Sequence, residues 1–258
     1  MGRAGLVRLD ALLVRRGLAA SRQRARELIE QGQVAVDGLV ATKVGAQVRP
    51  EQAVELRSGD HVWVGRGALK LLGVLEPLGV DPEGRTCADL GASTGGFTEV
   101  LLERGARRVY AVDVGKGQLA WKLRTDPRVV VMEGVNARHL EALPEPVDLV
   151  VGDLSFISLA LVLPAVARIL APEGEAVVLV KPQFEAGREG VASGGLVRDP
   201  EVREAAIARV CAEAEAEGFR VLGGVDSPVA GARAGNVEHF LHLRRGVHPD
   251  GGALTPAP

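Results

Sequence analysis

Residues 89–97 read DLGASTGGF, and this stretch decides the fold. A hydrophobic run from Thr86 to Leu90 leads into it, and a segment with Phe97, Val100, Leu101 and Leu102 at helical spacing leaves it. The pattern is strand, glycine-rich turn, helix. Gly91, Gly95 and Gly96 allow positive φ and a close approach of backbone to ligand, while the following helix aims unpaired N–H groups back at the turn. The spacing Gly-x-x-x-Gly-Gly departs from the Gly-x-Gly-x-x-Gly of dinucleotide-binding turns, which points to a different adenosine-bearing ligand. Taken alone, the stretch also fits a plain strand-to-helix connection tightened by glycine.

The chain downstream repeats the strand–helix alternation. Strands are predicted at Val109–Val114, Val129–Met132, Val147–Val151 and Ala176–Val180, with a helix over Leu159–Leu170 and another, capped by Asp199-Pro200, running to Glu217. Two last strands are expected at Arg220–Val225 and Val237–Leu243, close enough in sequence for one to run antiparallel. Ligands in such sheets bind beyond the carboxyl ends of the parallel strands. The DLGASTGGF turn, Asp113, Asp153 and Lys181 all fall at those ends, Asn136 follows the third strand, and Asn236 and Glu238 stand where an antiparallel strand would begin on the same edge. Asp113 is placed to accept hydrogen bonds from ribose hydroxyls, and a solvated strand-end acid is the alternative. Lys181 closes an apolar strand, an uncomfortable place for an ammonium, so a functional role is the better reading. Residues 187–195 form a glycine-rich connection long for this architecture and read as a mobile loop facing the active site or RNA.

Upstream, the character changes. Residues 1–70 hold 12 Lys or Arg against 7 Asp or Glu, leaving 19 against 26 in the remainder, so a basic module precedes an acidic one. Arg8–Arg16 is amphipathic through Leu9, Leu12 and Leu13 and ends at Gly17; Ser21 caps Arg22–Gln31, with Ala25, Leu28 and Ile29 as its apolar stripe. Val34 and Val36 then lead into Asp37-Gly38, a tight hairpin signal, and Leu39-Val40 returns. Valines and leucines at 48, 54, 56, 62 and 64 are expected to complete the small sheet, before Gly65-Arg66-Gly67 as a hinge. Arg15, Arg16, Arg22, Arg24 and Arg26 lie together without an intervening acid, a density suited to phosphates, although a solvated helix face has the same composition.

At 258 residues and 47% hydrophobic, the chain can bury one large core and one small one. The longest mostly apolar run, Ser158–Ala171, contains Pro164 and Arg168 and is too short to span a bilayer, and no signal-peptide pattern opens the chain, so a cytoplasmic protein is expected. Cys87 and Cys211 match neither a disulfide framework nor a metal spacing; reduced cysteines and no metal are expected.

Two resemblances sharpen this reading. Residues 21–38, with Ser-Arg-x-x-Ala-x-x-Leu-Ile-x-x-Gly-x-Val-x-Val-Asp-Gly fully occupied, resemble the RNA-binding domain found in ribosomal protein S four. That implies recognition of structured RNA, mostly through shape and phosphate, by a face carrying Arg8, Arg15, Arg16, Arg22, Arg24 and Arg26. The segments RGALKL, DLGASTGGF, AVDVG, GDLSFISL, LVKPQFE and GNVEHFL resemble the haemolysin-A-type (TlyA-type) ribosomal RNA methyltransferases, whose catalytic domain is similar to FtsJ-like 2′-O-methyltransferases. The fold implied is α/β. A Rossmann-like methyltransferase domain, with a mostly parallel seven-stranded sheet and one antiparallel strand, follows a small α+β RNA-binding domain.

By that resemblance Lys70, Asp153, Lys181 and Glu238 correspond to a catalytic tetrad, with Lys181 as base, Asp153 orienting it, and Lys70 and Glu238 positioning the ribose. Asp89, Gly91, Ala92, Ser93, Thr94, Gly95, Gly96, Phe97, Asp113 and Asn136 would hold S-adenosyl-L-methionine. Thr94 stands where many FtsJ-like turns have proline. The implied substrate is a cytidine 2′-hydroxyl in small- or large-subunit ribosomal RNA, and the implied partners are ribosomal RNA or ribosomal subunits, with no membrane. A nearby cation and the carboxylates act in opposite directions on the base lysine, and sequence leaves that balance open. The expected boundaries are 6–62 for the RNA-binding domain, 63–67 for a linker, 68–245 for the catalytic domain and 246–258 for a disordered tail. A membrane-active cytolysin and an RNA-binding protein with an idle catalytic domain are the alternatives.

Overall fold

The computed structural model describes residues 5–30, 32–41, 43–56, 63–187, 190–231 and 235–246. The expected tail beyond 246, Val62 and part of the glycine-rich loop lie outside the described residues.

The N-terminal part is built from β1 (Val7–Arg8), α1 (Leu9–Arg15), α2 (Arg22–Glu30), β2 (Val34–Val36), β3 (Leu39–Val40), β4 (Gln47–Val48) and β5 (Val54–Leu56). Ser21 Oγ accepts from Arg24 N at 3.1 Å, the cap that starts α2. Asp37 (φ 49°) and Gly38 (φ 79°) make the two-residue hairpin between β2 and β3, both in the left-handed region such a turn demands. The expectation of one small sheet is corrected. β1 pairs with β4 in a two-stranded ribbon, β3-β2-β5 forms a separate three-stranded sheet, and Val64 lies in neither. Leu9, Leu12, Leu13, Ala25, Leu28, Ile29, Val34 and Val48 bury themselves between these elements, each large side chain contributing about 1.5–3 kcal/mol.

The C-terminal part runs α3 (Gly67–Leu75), β6 (Thr86–Leu90), α4 (Gly96–Glu103), β7 (Arg108–Asp113), α5 (Trp121–Arg124), β8 (Val129–Glu133), β9 (Val147–Gly152), α6 (Leu163–Ile169), β10 (Leu170–Val180), α7 (Pro182–Glu185), α8 (Pro200–Ala216), β11 (Phe219–Asp226) and β12 (His239–Arg245). The seven strands order as β11-β12-β10-β9-β6-β7-β8. β12 runs antiparallel to both its neighbours, and the other pairings are parallel. Side chains alternate between two cores. Ala88, Tyr110, Val112, Val178 and Leu241 face α6 and α8, whereas Cys87, Val109, Ala111, Val177 and Phe240 face α3 and α4.

Three predicted elements changed extent for identifiable reasons. The helix expected over Leu159–Leu170 divides into a short 3-10 turn, Leu159–Leu161, and α6, whose first turn carries Pro164, a residue compatible with a helix start and not with an interior. The strand expected from Ala176 begins at Leu170 and carries an irregularity before Glu175, where Glu173 takes φ 62°. The expected hinge at Gly65-Arg66-Gly67 makes contacts with the C-terminal part. α3 already begins at Gly67, Val64 N donates to Glu99 Oε2 at 2.7 Å, and a Cβ on Gly65 would fall 2.6 Å from Thr94 Oγ1.

Candidate active site

The carboxyl ends of β6, β7, β9 and β10 and the approach to β12 meet on one edge of the sheet, as the parallel order requires. The turn after β6 is shaped by its glycines. Gly91 has φ 85°, and a Cβ there would stand 3.1 Å from Asp153 O; a Cβ on Gly96 would stand 2.7 Å from Ala68 N. Glycine therefore lets this turn lie directly against both the Asp153 segment and the helix that carries Lys70.

Two cavities open on the turn and share Gly91, Ser93, Asp153, Ser155 and Phe156. One, of about 540 Å³, is lined by Lys70, Thr94, Lys181 and Glu238 among others. The second, of about 750 Å³, reaches Asp113, Val114, Asn136 and His139. Asp113 Oδ2 accepts from Ser93 N at 2.8 Å and Oδ1 from Gly115 N at 2.6 Å, so the acid ties the end of β7 to the glycine turn. Asn136 accepts from Arg138 N at 3.0 Å and borders the same cavity.

Not every residue of the turn faces these cavities. Asp89 is 1% exposed, and its Oδ2 accepts from Thr98 N at 2.9 Å and Thr98 Oγ1 at 2.7 Å. Its carboxyl therefore braces α4 from beneath, and burial pushes it up to about 7, against the lowering by Thr98. Gly95 starts α4 with φ 99°. Phe97 lines the first cavity and stacks on Phe240 with centroids 6.0 Å apart.

The charged residues form a chain. Glu238 Oε2 lies 2.7 Å from Lys70 Nζ, which lies 3.0 Å from Asp153 Oδ2, and Asp153 Oδ1 lies 2.6 Å from Lys181 Nζ. Both lysines are nearly buried, with side chains 4% and 8% exposed. Burial alone would pull the Lys70 ammonium down, but Asp153 and Glu238 outweigh it and hold it above the ordinary lysine value. Burial pushes Asp153 up, and the two lysines reverse this and keep it ionised below its usual range. The four residues named from resemblance, scattered over 169 positions, thus meet in one wall of one cavity.

Sequence reasoning passed over Ser155, whose Oγ accepts from Lys181 Nζ at 2.7 Å. It also passed over Asn236 as a site residue. That side chain, 3% exposed, accepts from Val197 N at 2.9 Å and donates to Gly195 O at 2.8 Å, which clasps the glycine-rich loop beside Glu238. No periodicity marks either; only contact across the fold does.

The basic face of the N-terminal part is organised by an acid that lies outside the arginine-rich run in sequence. Asp10 is fully buried and lies 3.0 Å from Arg8 Nε, 2.8 Å from Arg22 Nη2 and 3.6 Å from Arg26 Nε. Arg24 pairs with Glu27 at 3.1 Å, Arg16 donates to Pro50 O at 2.5 Å, and Arg15 is exposed.

A seven-stranded sheet with one antiparallel strand, a glycine turn after the first strand of its parallel core, and an acid tied to that turn from the next strand define a Rossmann-like methyltransferase. The FtsJ-like methyltransferase model matches residues 63–245 and the S4 domain model residues 7–54. The chain belongs to the FtsJ-like methyltransferase family, in its TlyA branch. It is 53% identical to the 16S/23S rRNA (cytidine-2′-O)-methyltransferase TlyA of Mycobacterium tuberculosis, over 92% of this chain and 89% of that protein. It is 36% identical to Hemolysin A of Brachyspira hyodysenteriae over 92% and 99% of the two chains. A solved structure from Streptococcus thermophilus superposes with a TM-score of 0.73 at 40% identity, covering 96% of this chain and 91% of that one. The methyl donor of the family is S-adenosylmethionine. The turn whose Gly91 and Gly96 leave no room for a Cβ, and the second cavity of about 750 Å³ beside Asp113, fit such a group. Among the described residues, no helix is long and apolar enough to cross a membrane.

Proposed function

We propose that this protein transfers a methyl group from S-adenosylmethionine to the 2′-hydroxyl of a cytidine in ribosomal RNA, with Lys181 as general base. The observation that carries the reading is the buried chain Glu238–Lys70–Asp153–Lys181, lining a cavity that shares Gly91, Ser93, Asp153, Ser155 and Phe156 with the cavity beside Asp113. Bound against Gly91, Ser93, Asp113 and Asn136, S-adenosylmethionine supplies an electrophilic methyl group. The remaining work falls to the chain's own side chains: holding a ribose hydroxyl in line and removing its proton.

The two lysines divide that work. Lys70 touches two carboxylates and stays an ammonium, a fixed positive charge that, with Glu238, positions the ribose. Lys181 touches one carboxylate and a neutral hydroxyl at the wall shared with the glycine-turn cavity, and in this reading it takes the proton. Asp153, shared by both, orients Lys181 and balances the charge as the proton arrives.

In this reading residues 6–62 bind RNA and residues 68–245 carry the reaction, on ribosomal RNA or a ribosomal subunit in the cytoplasm. The S4 match and the arginines around Asp10 support the first role. The test is methyl transfer from labelled S-adenosylmethionine to ribosomal RNA by Lys181→Ala and Asp153→Ala. Loss on the order of 10²–10⁴-fold with RNA binding retained is expected; unchanged transfer in both variants refutes the assignment.

A further inference from the structure

We infer that Ser155 is a positioning residue for methyl transfer, acting through Lys181 by restricting the rotation of its amine. The inference rests on Lys181 being the base. Nζ of Lys181 has two close partners among the contacts above, Asp153 Oδ1 at 2.6 Å and Ser155 Oγ at 2.7 Å. A neutral amine carries two N–H bonds and one lone pair. With no partner it turns freely about the Cε–Nζ bond, and the lone pair sweeps a cone. Here Ser155 Oγ takes one N–H and the Asp153 carboxylate, an ion-pair partner at 2.6 Å, stands on another side of the amine, so the rotation is restricted and the lone pair is turned away from both. Ser155 lines the wall shared by the two cavities, so the restricted amine stands beside the junction where methyl donor and hydroxyl must meet.

The segment bearing Ser155 is braced at both ends, as such a role requires. Asp153 N donates to Leu90 O at 3.1 Å, which ties the start to the strand leading into the glycine turn. Beyond it, Ser158 Oγ and Leu159 N both donate to the buried carboxylate of Glu185, each at 2.7 Å. Between these anchors Phe156 takes φ 65°, a strained conformation for a non-glycine residue that turns the chain sharply after Ser155. Lys181 and Glu185 belong to one short segment, Asp153 and Ser158 to the other. The brace therefore holds hydroxyl and amine in one register.

The test measures single-turnover methyl transfer, and the concentrations of ribosomal RNA and S-adenosylmethionine giving half the maximal rate, for the full chain as wild type, Ser155→Ala, Ser155→Thr and Lys181→Ala. Ser155→Ala is expected to slow the maximal rate about tenfold while both half-saturating concentrations stay within about twofold. Ser155→Thr, which keeps the hydroxyl, is expected to recover most of the rate. A wild-type rate in Ser155→Ala, a Ser155→Thr as slow as Ser155→Ala, or a loss confined to the half-saturating concentrations overturns the inference. Lys181→Ala separates the two levels: if it retains the rate, the base assignment itself is wrong, whereas an inactive Lys181→Ala beside a fully active Ser155→Ala refutes only the role of Ser155.

Discussion

Asp10 in the N-terminal part and Asp153 in the C-terminal part each draw several cations around one carboxylate, and they use them differently. Asp10 is completely buried, yet Arg8, Arg22 and Arg26 keep side chains 44%, 51% and 53% exposed. The Arg8 hydrogen bond, above all, holds the Asp10 carboxyl well below the usual carboxylate range, despite its burial. The acid anchors the stems of three guanidinium groups that stay charged and reach outward, the form suited to phosphates. Around Asp153 the geometry is inverted: the cations are lysines, they are nearly buried, and they face a cavity. Lysine can give up its proton, and arginine in proteins does not. In the proposed reading the same device, an acid shared by cations, serves a binding surface with one residue type and a proton-transfer site with the other.

The largest effect that breaks this comparison is expected at Asp153. Removing it leaves Lys181 with a serine alone and Lys70 with Glu238 alone, so Asp153→Ala should lose methyl transfer almost entirely and destabilise the fold by about 3–5 kcal/mol, read from urea unfolding. A fully stable, fully active variant would show the buried chain to be ornamental. A smaller effect, of a different kind, is expected at the arginines. Arg22→Ala should weaken RNA binding and lower the salt slope of the binding constant by about one, with the rate at saturating RNA unchanged. Asp10→Ala should also weaken binding, although it makes the module more positive, because three guanidinium groups lose their common anchor. Tighter binding in Asp10→Ala would mean that net charge, and not arrangement, governs recognition.

The smallest expected effect concerns Asp89, an acid held by the amide and hydroxyl of Thr98. Folding raises its pKa to about 7, mainly by burial. Such a carboxyl binds its proton more tightly in the folded state, so the stability it contributes is full at low pH and is lost as pH rises through that value. Asp89→Asn keeps an acceptor for Thr98 and removes the titration. Its urea midpoint relative to wild type should rise between about pH 5 and about pH 8, and an equal difference at both would contradict this.

Much of the fold was legible because burial on both faces of a parallel sheet writes itself as continuous apolar runs. Thr86–Leu90 was read to the residue, and the hairpin at Asp37-Gly38 followed from a dipeptide that readily accepts its backbone angles. The misreadings share a cause, since each turned on contacts between distant segments. Gly65-Arg66-Gly67 has the composition of a hinge, and its closeness to Thr94 and the neighbouring Val64–Glu99 hydrogen bond are contacts that composition does not reveal. The arginines of α2 were counted as free of acids because Asp10 lies outside their run, although α1 folds back and brings it beneath them. Lys70, Asp153, Lys181 and Glu238 were named through resemblance; nothing local distinguishes Lys70, the third residue after Gly67 in an apolar helix, from a surface lysine. Ser155 and Glu185 were legible only as letters in a motif, and their roles appear once Lys181 and Ser158 are seen to reach them.

The central claim is that a buried lysine at Lys181 removes the proton of a cytidine 2′-hydroxyl in ribosomal RNA. The most direct measurement maps 2′-O-methylated nucleotides across ribosomal RNA incubated with S-adenosylmethionine and either the wild-type protein or Lys181→Ala. The account predicts a methylated cytidine that appears with wild type and is absent with Lys181→Ala, while both proteins bind the RNA equally. Methylation at the same cytidine by Lys181→Ala, or at no cytidine by wild type, would contradict it.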